Sequence, residues 1–270
     1  MRTDDLCGCI FLCSTALQIQ QKKTLPRHEF VCKQGLIGSE TVFCSRIFIC
    51  VQEKSLFVTF EGIEGSGKST QAVRFYRYLK DMSVPVILTR EPGGTKQGER
   101  IRRILLDSDA SDLVPCAELF LYIADRAQHV KTVIMPALDD KKWVLCDRFA
   151  DATIAYQGYA RGLDMAFIEM LNRKVCCGVW PDITFLFDLP AEVGLERALK
   201  RNREMDQESD GRFEQEAIVF HEAVRNGYRM LAAADQKRFF IVDAMLSEEE
   251  ITARLIEHIK DIAKPALRQA

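Results

Sequence analysis

From Leu56 onward, short runs of consecutive apolar residues alternate with longer stretches whose apolar positions recur every three or four residues. The runs at 56–60, 84–89, 143–146, 183–189 and 239–242 have strand length and are rich in β-branched and aromatic side chains. Between them, Val73, Tyr76 and Leu79 mark one helix, and Ile101, Ile104 and Leu105 mark a shorter one. Pro115 opens a long helix reaching about residue 139, Asp164 can cap another reaching 175, and Pro190 suits a first helical turn. Phe220, Val224, Tyr228 and Leu231 stripe a further helix. Ser247 and Glu250 form a capping box before the last, whose buried stripe is Ile251, Leu255, Ile259 and Ile262. Repeated β–α alternation predicts an α/β fold, a parallel five-stranded sheet with helices on both faces. The largely apolar run at 183–189 reads as a strand buried on both sides. Ligands of such sheets sit beyond the carboxyl ends of the strands.

The first 54 residues do not share this patterning and are expected to form a separate extension, residues 1–54, ahead of a domain at 55–270. Six of the ten cysteines fall here: Cys7, Cys9, Cys13, Cys32, Cys44 and Cys50. The acidic start Asp4-Asp5 and the Ser and Thr inside the apolar run argue against a secretory signal, and the acidic residues against a transit peptide. The cysteine spacing matches no ordinary zinc site. The expectation is a disordered or non-native segment without function, arising from a start site placed too far upstream, with Val51 corresponding to a GTG initiation codon.

The composition narrows the class of partner. A formal charge of −2 over 270 residues gives no electrostatic case for nucleic acid or membrane. No apolar stretch approaches the roughly 20 residues of a membrane helix. Cys116, Cys146, Cys176 and Cys177 read as small apolar residues, and the expected setting is a reducing cytoplasm.

Candidate chemistry lies where strands end. After the first strand comes Gly62-Ile63-Glu64-Gly65-Ser66-Gly67-Lys68-Ser69-Thr70, the phosphate-loop spacing G-x-x-x-x-G-K-[ST]. Main-chain N–H groups can cradle a phosphate only where the chain turns tightly with no β carbon in the way. Lys68 supplies a mobile charge for the outer phosphates of ATP, and the Ser69 hydroxyl is suited to hold Mg²⁺. A glycine-rich turn that merely carries a lysine is the bland alternative; strand before and helix after disfavour it. Asp147, ending a strand, is the second candidate Mg²⁺ residue.

Arg90, Arg126 and Arg148 arise on separate segments yet fall at strand ends or on a helix leading to them. Converging guanidinium groups suit a second phosphate, which a monophosphate acceptor requires and a simple NTPase does not. Tyr122 and Arg126 are four apart on one helix, so one face offers a ring and a cation. The charged stretch 199–212 is either a solvated loop or a closing lid that supplies arginine to a moving phosphoryl group. Gly65 and Ser66 leave no arginine in the loop itself, so Arg203 and then Arg201 are the candidates.

At this point the chain resembles bacterial thymidylate kinase from about Leu56 to its end. The resemblance rests on the phosphate loop with its leading Phe60-Glu61 and on Thr89-Arg90-Glu91-Pro92-Gly93-Gly94-Thr95. Asp147-Arg148-Phe149, Ala155-Tyr156-Gln157-Gly158, Pro181-Asp182-Ile183-Thr184 and Phe220-His221-Glu222-Ala223-Val224-Arg225 add to it. It implies a P-loop NTPase-type domain that moves the γ-phosphoryl of ATP onto dTMP, with Mg²⁺, usually as a homodimer. It implies that Glu64 and Glu91 lie near the sugar and reaction centre, and that Tyr122 replaces a Phe stacked on thymine. By the same carry-over, Arg90, Arg126 and Arg148 hold the acceptor, Arg148 near its phosphate. Thr153 and Gln157 contact the base, and Tyr156 crowds out a 2′-hydroxyl.

Two positions depart from the family pattern. Ala152 stands where many relatives carry Ser, and the Tyr122 hydroxyl must find water or a partner. The competing readings are a kinase of another nucleoside monophosphate and a nucleotide-binding ATPase or switch with no acceptor.

Overall fold

The computed structural model describes residues 55–107, 112–204 and 212–262, which all fall in the second of two units, Phe48–Ala270. The expected extension at 1–54 therefore lies outside the described residues.

Five strands form one sheet: β1 (Phe57–Glu61), β2 (Val86–Arg90), β3 (Trp143–Asp147), β4 (Ile183–Asp188) and β5 (Phe239–Asp243). Their order is β2-β3-β1-β4-β5 and every pairing is parallel. The register pairs Phe60 with Asp147 and Arg90 with Asp147, so these strands end level.

Side chains alternate across a strand, and each face has its own cover. Val58, Phe60 and Leu145 belong to one core with Phe75 and Leu79 of helix α1 (Lys68–Asp81) and Leu255 of helix α9 (Glu248–Ile262). Phe57, Val144 and Cys146 point the other way. They pack on Val130, Ile134 and Ala137, from the segment that follows helix α3 (Pro115–His129).

The long helix expected from Pro115 is interrupted: α3 passes through a wide π-type turn, Val130–Ile134, into the short α4 (Met135–Asp139). A second wide turn, Ile154–Ala160, follows the four-residue α5 (Ala150–Thr153) and carries Tyr156 and Gln157. Such turns re-aim side chains that an ordinary helix would direct elsewhere. The remaining helices are α2 (Lys96–Leu106), α6 (Met165–Cys176), α7 (Ala191–Glu204) and α8 (Ile218–Ala234).

One correction concerns the stretch 199–212. Its first part is not loop: α7 runs on through Arg201 and Arg203 to Glu204. Leu, Lys, Arg and Glu are good helix formers, and cations are favoured in a last helical turn. Residues 205–211 lie outside the described residues, and the chain is described again at Arg212, before a 3₁₀ turn, Phe213–Gln215.

Candidate active site

The phosphate loop leaves β1 at Glu61 and enters α1 at Lys68. Gly62, Gly65 and Gly67 all hold positive φ, at 144°, 67° and 82°, which side-chain-bearing residues rarely adopt. Ile63 is part of the core, and Thr70 is exposed on the first turn of α1. Free N–H groups at a helix start favour anions.

Lys68 is buried there, its Nζ donating to Ile63 O at 3.2 Å. Burial, and next the neighbouring Arg148 charge, bring its pKa down to about 8. The Ser69 hydroxyl donates to Asp147 Oδ2, while Asp147 Oδ1 is buried with no hydrogen-bond partner. Two hard oxygen donors thus face each other beside the loop, the donor type Mg²⁺ takes. Among the described residues no group of three His, Cys, Asp or Glu could hold a metal.

Arg148 follows Asp147 with φ 66°, a left-handed conformation that turns its side chain back over the loop. Its guanidinium donates to Gly62 O at 2.9 Å, Tyr228 Oη at 3.1 Å and Glu64 Oε1 at 3.0 Å, and lies 4.9 Å from the Tyr156 ring centre. Tyr156 also donates to Glu64 Oε1, and His221 Nδ1 stands 3.3 Å from Oε2. Burial alone would raise the Glu64 carboxyl; His221, Arg148 and Lys68 outweigh it and hold the group well below the carboxylate range.

Glu64, Lys68, Ser69, Asp147, Arg148 and Tyr156 line a cavity of roughly 460 Å³. Tyr122, Arg126, Ala152, Thr153 and Gln157 line the same cavity. A smaller cavity, roughly 400 Å³, opens on the far side of Ser69 and Asp147 beside Thr89 and Arg90.

Not every expected residue is free to bind. Arg126 is almost wholly buried, and its guanidinium donates to Glu91 (2.8 Å), Thr153 (2.9 Å), Asn172 (2.7 Å) and Phe149 O (2.9 Å). Four of its five N–H groups are engaged within the protein, so Arg126 forms a fixed wall instead of a free phosphate clamp. Glu91 is likewise occupied, with Oε2 on Arg126 and Oε1 2.8 Å from His129 Nδ1. Burial pushes the Tyr122 phenol up, with the Glu118 charge adding to it. Arg90 sits at the rim, half exposed and paired with Glu99.

The two arginines of α7 part company. Both are exposed, but Arg201 lines the cavity and reaches Glu214 at 3.3 Å, whereas Arg203 donates to its own helix at Leu199 O.

Three residues of the site escaped the sequence reading. Arg102 lines the cavity from α2, donating to Pro92 O at 3.2 Å; only its helical spacing from Glu99 could have hinted at it. Glu61 is fully buried beneath Arg148, accepting from Tyr228 Oη (2.8 Å) and Phe149 N (2.7 Å). Burial, then Asp151, push its carboxyl up to about 8. Glu118, also fully buried, holds Gln157 from behind. An acid at an inward helical position is a weak signal, because its partners come from distant segments.

Residues of the phosphate loop and the side chains of Arg90, Arg102, Arg126, Arg148 and Arg201 therefore line one cavity. Comparison with known proteins agrees with this layout. The family model described as thymidylate kinase matches residues 60–255. The chain is 51% identical over 214 residues to a thymidylate kinase of Desulfosudis oleivorans, an alignment covering 78% of this chain and 100% of that one. It is 50% identical over 207 residues to a thymidylate kinase of Halothermothrix orenii, covering 77% and 97%. A solved structure of thymidylate kinase from Ehrlichia chaffeensis superposes with a TM-score of 0.62 at 34% identity, covering 77% of this chain and 99% of that one. With a family model spanning well over half its length and relatives half identical along their whole length, this chain belongs to the thymidylate kinase family.

Proposed function

We propose that the protein transfers the γ-phosphoryl group of ATP directly to dTMP, giving dTDP and ADP. The observation that carries this reading is that one cavity is lined by Lys68, Ser69 and Asp147 and also by Tyr122, Thr153, Gln157, Arg148 and Arg201.

An acceptor phosphate oxygen attacks the γ-phosphorus in line as the bond to the ADP oxygen breaks, so no covalent enzyme intermediate is needed. Main-chain N–H groups of Gly62–Ser69 hold the donor phosphates, and Lys68 balances charge on the outer ones. Arg148, fixed by Gly62 O, Tyr228 and Glu64, presents its charge to the acceptor phosphate from one side. Arg201 lines the same cavity from α7 and is the better candidate for charge compensation on the moving group, because Arg203 does not line it and donates to its own helix. Ser69 and Asp147 would hold Mg²⁺, which would neutralise charge on the donor phosphates. Tyr122 and the Arg126 wall flank the base, while Tyr156, pinned by Glu64, crowds a 2′-hydroxyl. A hydroxyl at 152 is missing, so one polar contact to the acceptor is lost in this chain.

Exposed Phe120 of α3 and Phe167 of α6 meet edge to face, their ring centres 6.3 Å apart, with exposed Met170 on the same helix. This apolar patch fits a second copy of the chain, and light scattering on the purified protein measures whether a dimer forms. No helix among the described residues is long and apolar enough to cross a membrane. The four described cysteines are free thiols, which suits the reducing cytoplasm we assign.

A coupled ADP-release assay with ATP and dTMP, dUMP, UMP, CMP or thymidine tests the reading. The expected result is release that depends on dTMP and exceeds that with every other acceptor. Equal release without an acceptor would make the protein an ATPase, and preference for UMP or CMP would make it another monophosphate kinase.

A further inference from the structure

Glu118 does not line the cavity, yet it is fully buried on α3 directly behind the acceptor compartment. A carboxylate in such a place is costly unless its oxygens are matched by donors. Here Oε1 accepts from Gln157 Nε2 at 2.8 Å and more weakly from Arg161 Nε at 3.4 Å. Oε2 accepts from Arg212 and from Arg161 at 3.3 Å. Arg161 is balanced in turn by Glu216 at 2.6 Å, and Arg212 is held a second time by Leu105 O at 2.8 Å.

The geometry assigns Glu118 as a positioning residue that selects the base of the acceptor through the amide of Gln157. A carboxylate flanked by two guanidinium groups can only accept hydrogen bonds, so the nitrogen of the Gln157 amide must face it. The amide oxygen is then the end left for a ligand in the cavity. A fixed acceptor there matches a pyrimidine with an imide N–H, as in thymine or uracil, and opposes one with a bare ring nitrogen, as in cytosine. Discrimination thus begins one residue behind the cavity wall.

The same carboxylate has a second arm. Through Arg212 it fixes the start of the Phe213–Gln215 turn, where Arg212 and Phe213 also make a cation–ring contact at 4.8 Å. Glu214 of that turn meets Arg201. One buried acid therefore links the base-reading amide to the arginine placed beside the transferred group.

The inference rests on the assignment of Gln157 to the acceptor compartment, and the experiment separates the two. Kinetics with dTMP and dCMP are compared for wild type, Glu118→Gln, Glu118→Asp and Gln157→Ala, with folding checked by circular dichroism. In Glu118→Gln the neighbouring amide can face either way. The dTMP-to-dCMP ratio of kcat/KM should fall at least about tenfold and KM for dTMP rise about tenfold, while KM for ATP stays within about twofold. Glu118→Asp should restore part of the ratio. Should Glu118→Gln alone not fold, Glu118→Gln combined with Arg212→Gln removes one charge of each sign and gives the same readout. A folded Glu118 variant with unchanged discrimination, beside an impaired Gln157→Ala, overturns the inference alone. An unimpaired Gln157→Ala overturns the acceptor assignment beneath it, and the inference with it.

Discussion

Gly65 and Gly194 lie backbone against backbone: a β carbon at 65 would stand 2.0 Å from the Gly194 carbonyl oxygen, and one at 194 would stand 2.6 Å from that of Glu64. This contact seats the phosphate loop on α7, the helix that carries Arg201. Gly194→Ala should therefore push loop and helix apart. We expect kcat lowered and KM for ATP raised, together about 10²-fold in kcat/KM, as for other sub-ångström misplacements of reacting groups. Steady-state kinetics check this, and unchanged constants would mean the helix yields without moving Arg201.

Lys68 makes a prediction about pH. Burial and the nearby Arg148 lower it to about 8, so the free enzyme loses the cation above that pH. kcat/KM for ATP should fall toward tenfold per pH unit on the alkaline side, while kcat holds to higher pH because bound phosphates retain the proton. Lys68→Ala should cost at least about 10²-fold in kcat with the fold intact by circular dichroism.

Arg201 and Arg203 separate by position. Arg201→Ala should lower kcat by about 10³-fold or more, the range for an arginine acting on a transferred phosphoryl group. Arg203→Ala, on an exposed helix face, should stay within about twofold. The reverse ranking would show that Arg201 serves only its pairing with Glu214.

Arg126 is expected to act on stability before it acts on binding. Arg126→Met leaves Glu91 buried without its main counter-charge and should cost about 3–5 kcal/mol by urea unfolding. A loss of dTMP affinity with unchanged stability would contradict the saturated geometry.

Glu61 gives a stability prediction. Its carboxyl is raised by burial, then by Asp151, from an ordinary 4.5 to about 8. Between those values the folded chain keeps a proton that the unfolded chain has released. Its contribution is therefore full at low pH and lost as pH rises through about 8. Glu61→Gln fixes the neutral form, so its stability relative to wild type should grow from roughly pH 5 to 8. Parallel urea-midpoint curves for the two proteins would refute the shift.

Strand positions were legible from residues 56 to 243 to within a residue or two at each end, because a doubly covered sheet leaves apolar runs that no helix pattern imitates. The phosphate loop was legible for a related reason: its function is performed by contiguous backbone. The wide turns Val130–Ile134 and Ile154–Ala160 were not, since an extra residue in a helical turn leaves no mark on a three-or-four-residue repeat. The helical identity of residues 199–204 was hidden by their charge, which serves a solvated helix end as well as a loop.

The order of residues alone determined the parallel sheet, the loop that grips a nucleotide and the strand end that offers Asp147. Those features depend on neighbours within about ten positions. Folding in three dimensions decided which cations are free to act. It engaged four of the five N–H groups of Arg126, turned Arg148 back over the loop, and placed Arg201 but not Arg203 in the lining of the cavity. A guanidinium is available or spent according to the acceptors that packing brings to it from far along the chain, and local periodicity carries no record of those.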